Sequence, residues 1–364
     1  EACGNIGDKA WTRAILQRLQ NDTLGFVREA VTKACENIGD KAWTRAILES
    51  LKDDTFLFVR RAVAEACGNI GENGWTGAIL QSLQNDPEQS SGQYDNVRAV
   101  VAKACGKIGD NNSTRAILQR LQNDISTSVI EAVVDACGNI GENDWTRAIL
   151  GSLQNDPNDF VRIAVAEAFG NIGENDWTRD ILQSLQNDRN NDIRIAVADA
   201  CGNIGENDWT RAILESLQND PDPVVRIAVA EACGRIGDKD WTRAILQSLQ
   251  NDTEDYVRKD VAKACGRIGD KDWTRAILQS LQNDTDAFIR EAVAKACGNI
   301  GDKDWTRDIL ESLQNDTDHY VRKAVAEACG RIGDKAWTRA ILQSLKEDKD
   351  DLVKICVVEA LLKN

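Results

Sequence analysis

Tryptophan recurs at 11, 43, 75, 145, 177, 209, 241, 273, 305 and 337, and Ser113 completes the series. The interval is 32 residues throughout, except that six extra residues within 87–96 lengthen the stretch between Trp75 and Ser113. A fixed period of this size means one small unit stacked many times, so the 364 residues are not two or three unrelated globular domains. Eleven repeats start at 11, 43, 75, 113, 145, 177, 209, 241, 273, 305 and 337; a partial repeat over 1–10 precedes them, and the last is truncated. With the tryptophan as position 1, repeat 9 (273–304) reads WTRAILQSLQNDTDAFIREAVAKACGNIGDKD.

Each repeat encodes two helices. Trp at position 1, Ile at 5 and Leu at 6 and 9 fall in one arc of about 140° at helical spacing, while Arg at 3 and Gln at 7 and 10 face away. The QND segment ends this first helix. Positions 17, 21, 24, 25 and 28 give the second helix its own apolar stripe, widened by alanines at 20 and 22. Gly at 29 predicts a left-handed stop, and the acid at 30 marks the next helix start. Repeats with Glu at 30, such as those of Glu142 and Glu206, carry Asn at 31, whereas Asp at 30 usually precedes Lys. That covariation predicts an N-cap that slides by one residue between repeat types. Neither stripe can be buried by one repeat alone, so the fold class is all-α: a solenoid of stacked two-helix repeats, single across residues 1–364.

Composition narrows the function. Asp+Glu 59 against Lys+Arg 44 leaves a net charge of −15, which disfavours nucleic acid as a partner. No apolar run approaches the ~20 residues of a membrane span. Ten of the eleven cysteines (Cys3, Cys35, Cys67, Cys105, Cys137, Cys201, Cys233, Cys265, Cys297 and Cys329) hold position 25, where Phe169 stands in one repeat. A site that accepts phenylalanine is a core site, so these are expected to be free, buried thiols of a cytoplasmic protein. The chain begins mid-repeat and without Met, and is expected to be part of a longer protein. His319 sits in a turn, away from any thiol that could pair with it for catalysis. The recurrent GxxGD lacks the Lys-Ser/Thr of a phosphate loop. No catalytic residue, metal site or cofactor is assigned.

The phrase VRxAVAxACGxIGD, with a short helix ending in Leu-x-x-Asp, resembles the HEAT repeat, and more narrowly the short bacterial HEAT-like repeat of the phycobilisome-lyase type. The resemblance implies an Asp–Arg ladder at positions 12 and 18, here including Asp156, Arg162, Asp188, Arg194, Asp220 and Arg226. Position 18 departs from arginine at Ile130 and Lys354. The resemblance also implies that second helices line the partner-binding side. Positions 19, 23 and 27 are the exposed ones there, and they vary along the chain. Ile163, Ile195 and Ile227 form an apolar strip edged by Glu167, Asp199 and Glu231; it ends in basic Lys259, Lys263 and Arg267. Contiguous apolar surface of this kind marks interaction sites.

The leading expectation is a non-enzymatic protein-interaction scaffold, the C-terminal part of a larger bacterial signalling or defence protein. The alternatives are a phycobilin lyase or related chromophore-handling protein, and a DNA-binding HEAT-like solenoid. Open stack ends permit end-to-end self-association. At Ser113 the missing ring predicts either a gap or a cover supplied by the inserted Tyr94, a local repair and not an active centre.

Overall fold

A computed structural model of the chain describes residues 4, 5, 7–87 and 96–363. Among these, all regular structure is helical. Ten-residue first helices run from Ala10–Leu19 to Ala336–Leu345, and longer second helices from Gly25–Ile38 to Asp351–Lys363, one of each per repeat. The chain forms two compact halves, residues 1–181 and 182–364, each a stack of helix pairs. Tyr94 lies outside the described residues.

The stripes in the sequence become the core of each half. Ile47 and Leu48 in the first helix, and Val59, Val63 and Cys67 in the second, are all at most 1% exposed, and the pattern recurs in the C-terminal half at Ile245, Leu246, Val257, Val261 and Cys265. Cys35, Cys67, Cys105, Cys137, Cys233, Cys265, Cys297 and Cys329 are free and buried, and burial pushes each thiol up to about 12. At neutral pH they are neutral space-filling groups, not nucleophiles.

Two glycines in most repeats do different work. At position 26 the second helices of neighbouring repeats nearly touch backbone to backbone: a Cβ on Gly68 would lie 2.8 Å from the Ala104 Cα, and one on Gly266 2.8 Å from that of Ala296. Alanine at 24 and glycine at 26 are therefore a matched pair that sets the helix spacing. At position 29 the backbone leaves the helix with φ between +80 and +94°. The sequence suggested a left-handed residue there, but ψ near −160° (φ 93, ψ −159 at Gly301) places it in the extended region that glycine alone adopts readily.

The first-helix start also departs from expectation. The N-cap does not slide; it stays at position 31, on extended backbone, in both repeat types (Asn143 φ −162, ψ 167; Lys271 φ −134, ψ 150). Thr at position 2 anchors the turn instead. Thr274 Oγ1 accepts from Lys271 N at 3.1 Å and donates to the Gly269 carbonyl at 2.7 Å. Asn143 adds a cap bond from Thr146 N at 2.9 Å, whereas Lys271 makes none and reaches to Asp238 of the previous loop at 2.8 Å. The covariation reflects this choice between capping locally and pairing with the neighbouring repeat.

Two polar ladders join repeats within each half. Arg at 18 forks onto Asp at 12 of the next repeat and also ties down the turn of its own. Arg226 donates to Asp252 Oδ2 and Oδ1 at 2.7 and 2.9 Å and to the Asp220 carbonyl at 2.7 Å. Arg194 treats Asp220 and the Asp188 carbonyl likewise. Arg28–Asp54 and Arg98–Asp124 are rungs of the N-terminal half. Arg162 binds the Asp156 carbonyl at 2.6 Å and Asp159 at 2.5 Å. Burial alone would raise the aspartates, but the arginine fork and a backbone N–H outweigh it, so Asp54, Asp220, Asp252, Asp284 and Asp316 lie below their usual value. Asp348 is held down chiefly by Arg322.

The second ladder runs through the tryptophans, whose recurrence between neighbouring first helices suggested half-buried rungs without polar partners. Trp43, Trp75, Trp145, Trp177, Trp241, Trp273 and Trp305 are buried at 5–8% exposure instead of half-buried; Trp209 and Trp337 are half-buried and Trp11 is exposed. In most repeats the indole N–H is donated to the position-30 acid one loop further back: Trp75 to Asp40 at 3.0 Å, Trp177 to Glu142 at 3.2 Å, Trp273 to Asp238 at 2.9 Å. Lys271 and Trp273 together hold the Asp238 carboxyl below the ordinary carboxylate range.

Candidate interaction face

Second helices pack so closely that their side chains at position 19 are squeezed against neighbours. Ile163 in the N-terminal half, and Ile195 and Ile227 in the C-terminal half, are half-buried, where the sequence suggested exposure. The Gly–Ala approach keeps neighbouring second helices close together. Glu167 is exposed, while Asp199 and Glu231 are half-buried. Arg235, at position 27, crosses to Asp199 of the preceding repeat at 2.6 Å. Of the basic group, Lys263 and Arg267 are exposed; Lys259 is half-buried with its ammonium 5.6 Å from the centroid of the Phe288 ring. Lys263 pairs at 2.6 Å with Asp260, a buried carboxylate where most repeats have alanine.

Phe288 belongs to a column that the sequence reasoning passed over. Position 16, one turn before position 19 on the same helix, is apolar in most repeats. In the C-terminal half five successive repeats place Val224, Tyr256, Phe288, Tyr320 and Leu352 there, exposed at 48%, 59%, 54%, 44% and 46%. In the N-terminal half, Phe26 is 75% exposed and stacks on Phe58 with ring centroids 4.9 Å apart. The available signal was an apolar residue recurring outside the buried arc, beside the invariant Val or Ile at 17. Position 14 caps the same helix with an acid: Asp222, Asp286, Asp318 and Asp350 accept from the position-16 N–H at 2.8, 2.6, 2.7 and 2.9 Å. The C-terminal half thus carries an apolar crest with carboxylates on one side; Lys259 and the arginines Arg235, Arg267 and Arg331 lie further along the helices.

Among the described residues no group of His, Cys, Asp and Glu side chains could hold a metal ion, and no helix is long and apolar enough to cross a membrane. His319 is half-buried at the start of a second helix, its ring 4.0 Å from that of Tyr320.

Stacked pairs of short helices, joined by glycine turns and an Asp–Arg ladder, define a helical-repeat protein. The chain belongs to the HEAT-repeat family, whose pattern matches residues 89–170, 178–258, 242–313 and 306–363. No curated protein sequence matches it. Among solved structures it is similar to Kap95p in a complex with RanGDP, with TM-score 0.62 and 13% identity over 97% of this chain and 56% of that one. It is also similar to the karyopherin Kap121p bound to the extreme C-terminus of the protein phosphatase Cdc14p, with TM-score 0.60 and 14% identity over 96% of this chain and 45% of that one. The chain spans about half the length of these relatives.

Proposed function

We propose that the chain is a non-enzymatic scaffold that binds a segment of a protein partner on the exposed face of its second helices. The observation that carries this reading is the column Val224, Tyr256, Phe288, Tyr320 and Leu352, large apolar side chains left open in five successive repeats. Half-exposed aromatic groups in register are costly to leave in water and are the usual anchors of protein interfaces. Ile195 and Ile227 form a shoulder one turn away, with Asp199, Glu231, Lys259, Lys263 and Arg267 as charged neighbours; Ile163 and Glu167 hold the same positions in the N-terminal half.

Neighbouring helices stand about 8–10 Å apart, which an extended peptide crosses in about three residues at roughly 3.3 Å each. The fitting segment therefore presents an apolar side chain at about every third position, with basic groups toward the carboxylates at position 14. The likeness to karyopherins bound to protein partners supports protein recognition as the coarse function. The Asp and Arg at positions 12 and 18 support the short bacterial, phycobilisome-lyase-type repeat as the subtype, and with it a place as the C-terminal part of a larger bacterial signalling or defence protein. The free, buried cysteines support a reducing, cytoplasmic setting.

The test is affinity capture with Ile195→Lys and Ile227→Lys combined, beside Tyr256→Ala, Phe288→Ala and Tyr320→Ala combined. Both are expected to release proteins that the parent chain captures. An unchanged set of captured proteins in both variants would reject this face.

A further inference from the structure

The ring missing at Ser113 leaves a space. A cleft of about 240 Å³ opens there, lined by Glu72, Asn73, Thr76, Gly77, Leu80 and Ile117 among others. Leu80 and Ile117 lie fully buried beneath it, half-buried Ile108 gives it an apolar wall, and Glu72 is exposed at its mouth. The chain has partly closed over the deletion: a Cβ on Gly77 would lie 2.9 Å from Ser113 Oγ, so the serine rests against the Gly77 backbone. Position 3 is arginine in most other repeats, so the losses of arginine and of tryptophan are one paired change. The closure is incomplete, and the cleft is what remains.

Its chemistry is set by the rest of the chain. Glu72 occupies position 30, whose carboxylate in most repeats accepts the indole N–H of the tryptophan that opens the repeat after next. Among the other glutamates there, Glu142 accepts from Trp177 at 3.2 Å while Glu206 pairs with Lys239, and the aspartates Asp40 and Asp110 accept from Trp75 and Trp145 at 3.0 Å. At repeat 4 the acceptor is retained and Ser113 brings no indole to it. We infer that this cleft binds an indole ring from outside the chain, its N–H donated to Glu72 and its carbon face laid on Ile108. A dry cavity of about 150 Å³ suffices for benzene, so the larger volume here suits a two-ring heteroaromatic. The ring comes either from a free indole compound or from the tryptophan side chain of a partner. The cleft lies on first helices and owes nothing to the second-helix face, so either reading can fail without the other.

The experiment is ligand-observed NMR and calorimetry on the full chain with three probes. Indole represents the free compound, N-acetyl-tryptophanamide the peptide side chain, and benzofuran has indole's shape without the N–H. Indole or the amide is expected to saturate one site with Kd about 1 mM or tighter. Benzofuran is expected to bind about tenfold more weakly, and Glu72→Leu to erase that preference. The preferred probe, indole or amide, identifies the source of the ring. Ser113→Trp, which refills the space, is expected to abolish binding; if that variant does not fold, the exposed Glu72→Leu substitution still decides the matter. Absence of saturable binding by both indole and the amide overturns the inference, as does equal binding of benzofuran. Binding that appears only after Tyr94→Ala assigns the space to the chain's own tyrosine and overturns it as well.

Discussion

Removing one arginine of the Asp–Arg ladder should uncouple two repeats. Arg226 makes three short hydrogen bonds at 2.7–2.9 Å, two to the Asp252 carboxylate and one to the Asp220 carbonyl, and a longer one of 3.4 Å to the Pro221 carbonyl. The pair is well shielded, with side chains 13% and 9% exposed. Arg226→Met keeps the packed stem and deletes all of these bonds. Asp252 then retains the Glu254 N–H at 2.9 Å but loses its counter-charge. One-sided truncation of a buried ion pair costs about 3–5 kcal/mol; residual solvent contact brings the expected loss to about 2–3 kcal/mol at neutral pH.

Because repeats contact only their neighbours, the damage should be local. Hydrogen exchange should rise where repeat 7 meets repeat 8 before it rises elsewhere in the C-terminal half. Urea unfolding of Arg226→Met, Asp252→Asn and the double variant gives the coupling directly, expected at about 1–3 kcal/mol. A loss below about 0.5 kcal/mol for Arg226→Met, or simple additivity in the cycle, would refute the assignment of this rung as a stabilising joint.

Three further outcomes follow from the same geometry. Ile130 is half-buried where the ladder has arginine, so Ile130→Arg should supply a rung to Asp156 and raise stability by about 1 kcal/mol by urea titration. Gly266→Ala should destabilise by about 1–3 kcal/mol despite alanine's better helix propensity, because its Cβ would meet the Ala296 backbone at 2.8 Å; a rise in urea midpoint would contradict the close approach. The aspartates depressed by the ladder bind protons less readily folded than unfolded, so their stabilisation is complete above the ordinary value of about 3.9 and is lost as pH falls through the lower folded values. The urea midpoint should therefore drop as pH falls below about 4, and an unchanged midpoint there would count against it.

The period and the two stripes were legible because each stripe must be buried against a neighbour, and burial imposes its spacing on the sequence. What escaped was the second set of pairings between repeats, at positions 30, 31 and 1. Asp238 looks like a helix-start residue in its own loop; its partners, Lys271 and Trp273, come from the next two repeats, so covariation with position 31 was misread as a moving cap. Position 19 was judged from a single helical wheel, which cannot show a neighbouring helix brought in by the Gly–Ala contact, so Ile195 and Ile227 looked more exposed than they are. The column at position 16 was hidden for the opposite reason. An apolar residue beside the buried valine at 17 looks like an extension of the core until neighbouring helices show that nothing covers it.

The most direct test of the scaffold reading compares two triple variants in quantitative affinity capture. One removes the crest (Tyr256→Ala, Phe288→Ala, Tyr320→Ala); the other removes exposed arginines of the first helices in the same repeats (Arg243→Ala, Arg275→Ala, Arg307→Ala). The account predicts that the crest variant, folded by circular dichroism, loses the proteins the parent chain captures, while the arginine variant keeps them. Equal recovery by the crest variant and the parent, or loss confined to the arginine variant, would contradict it.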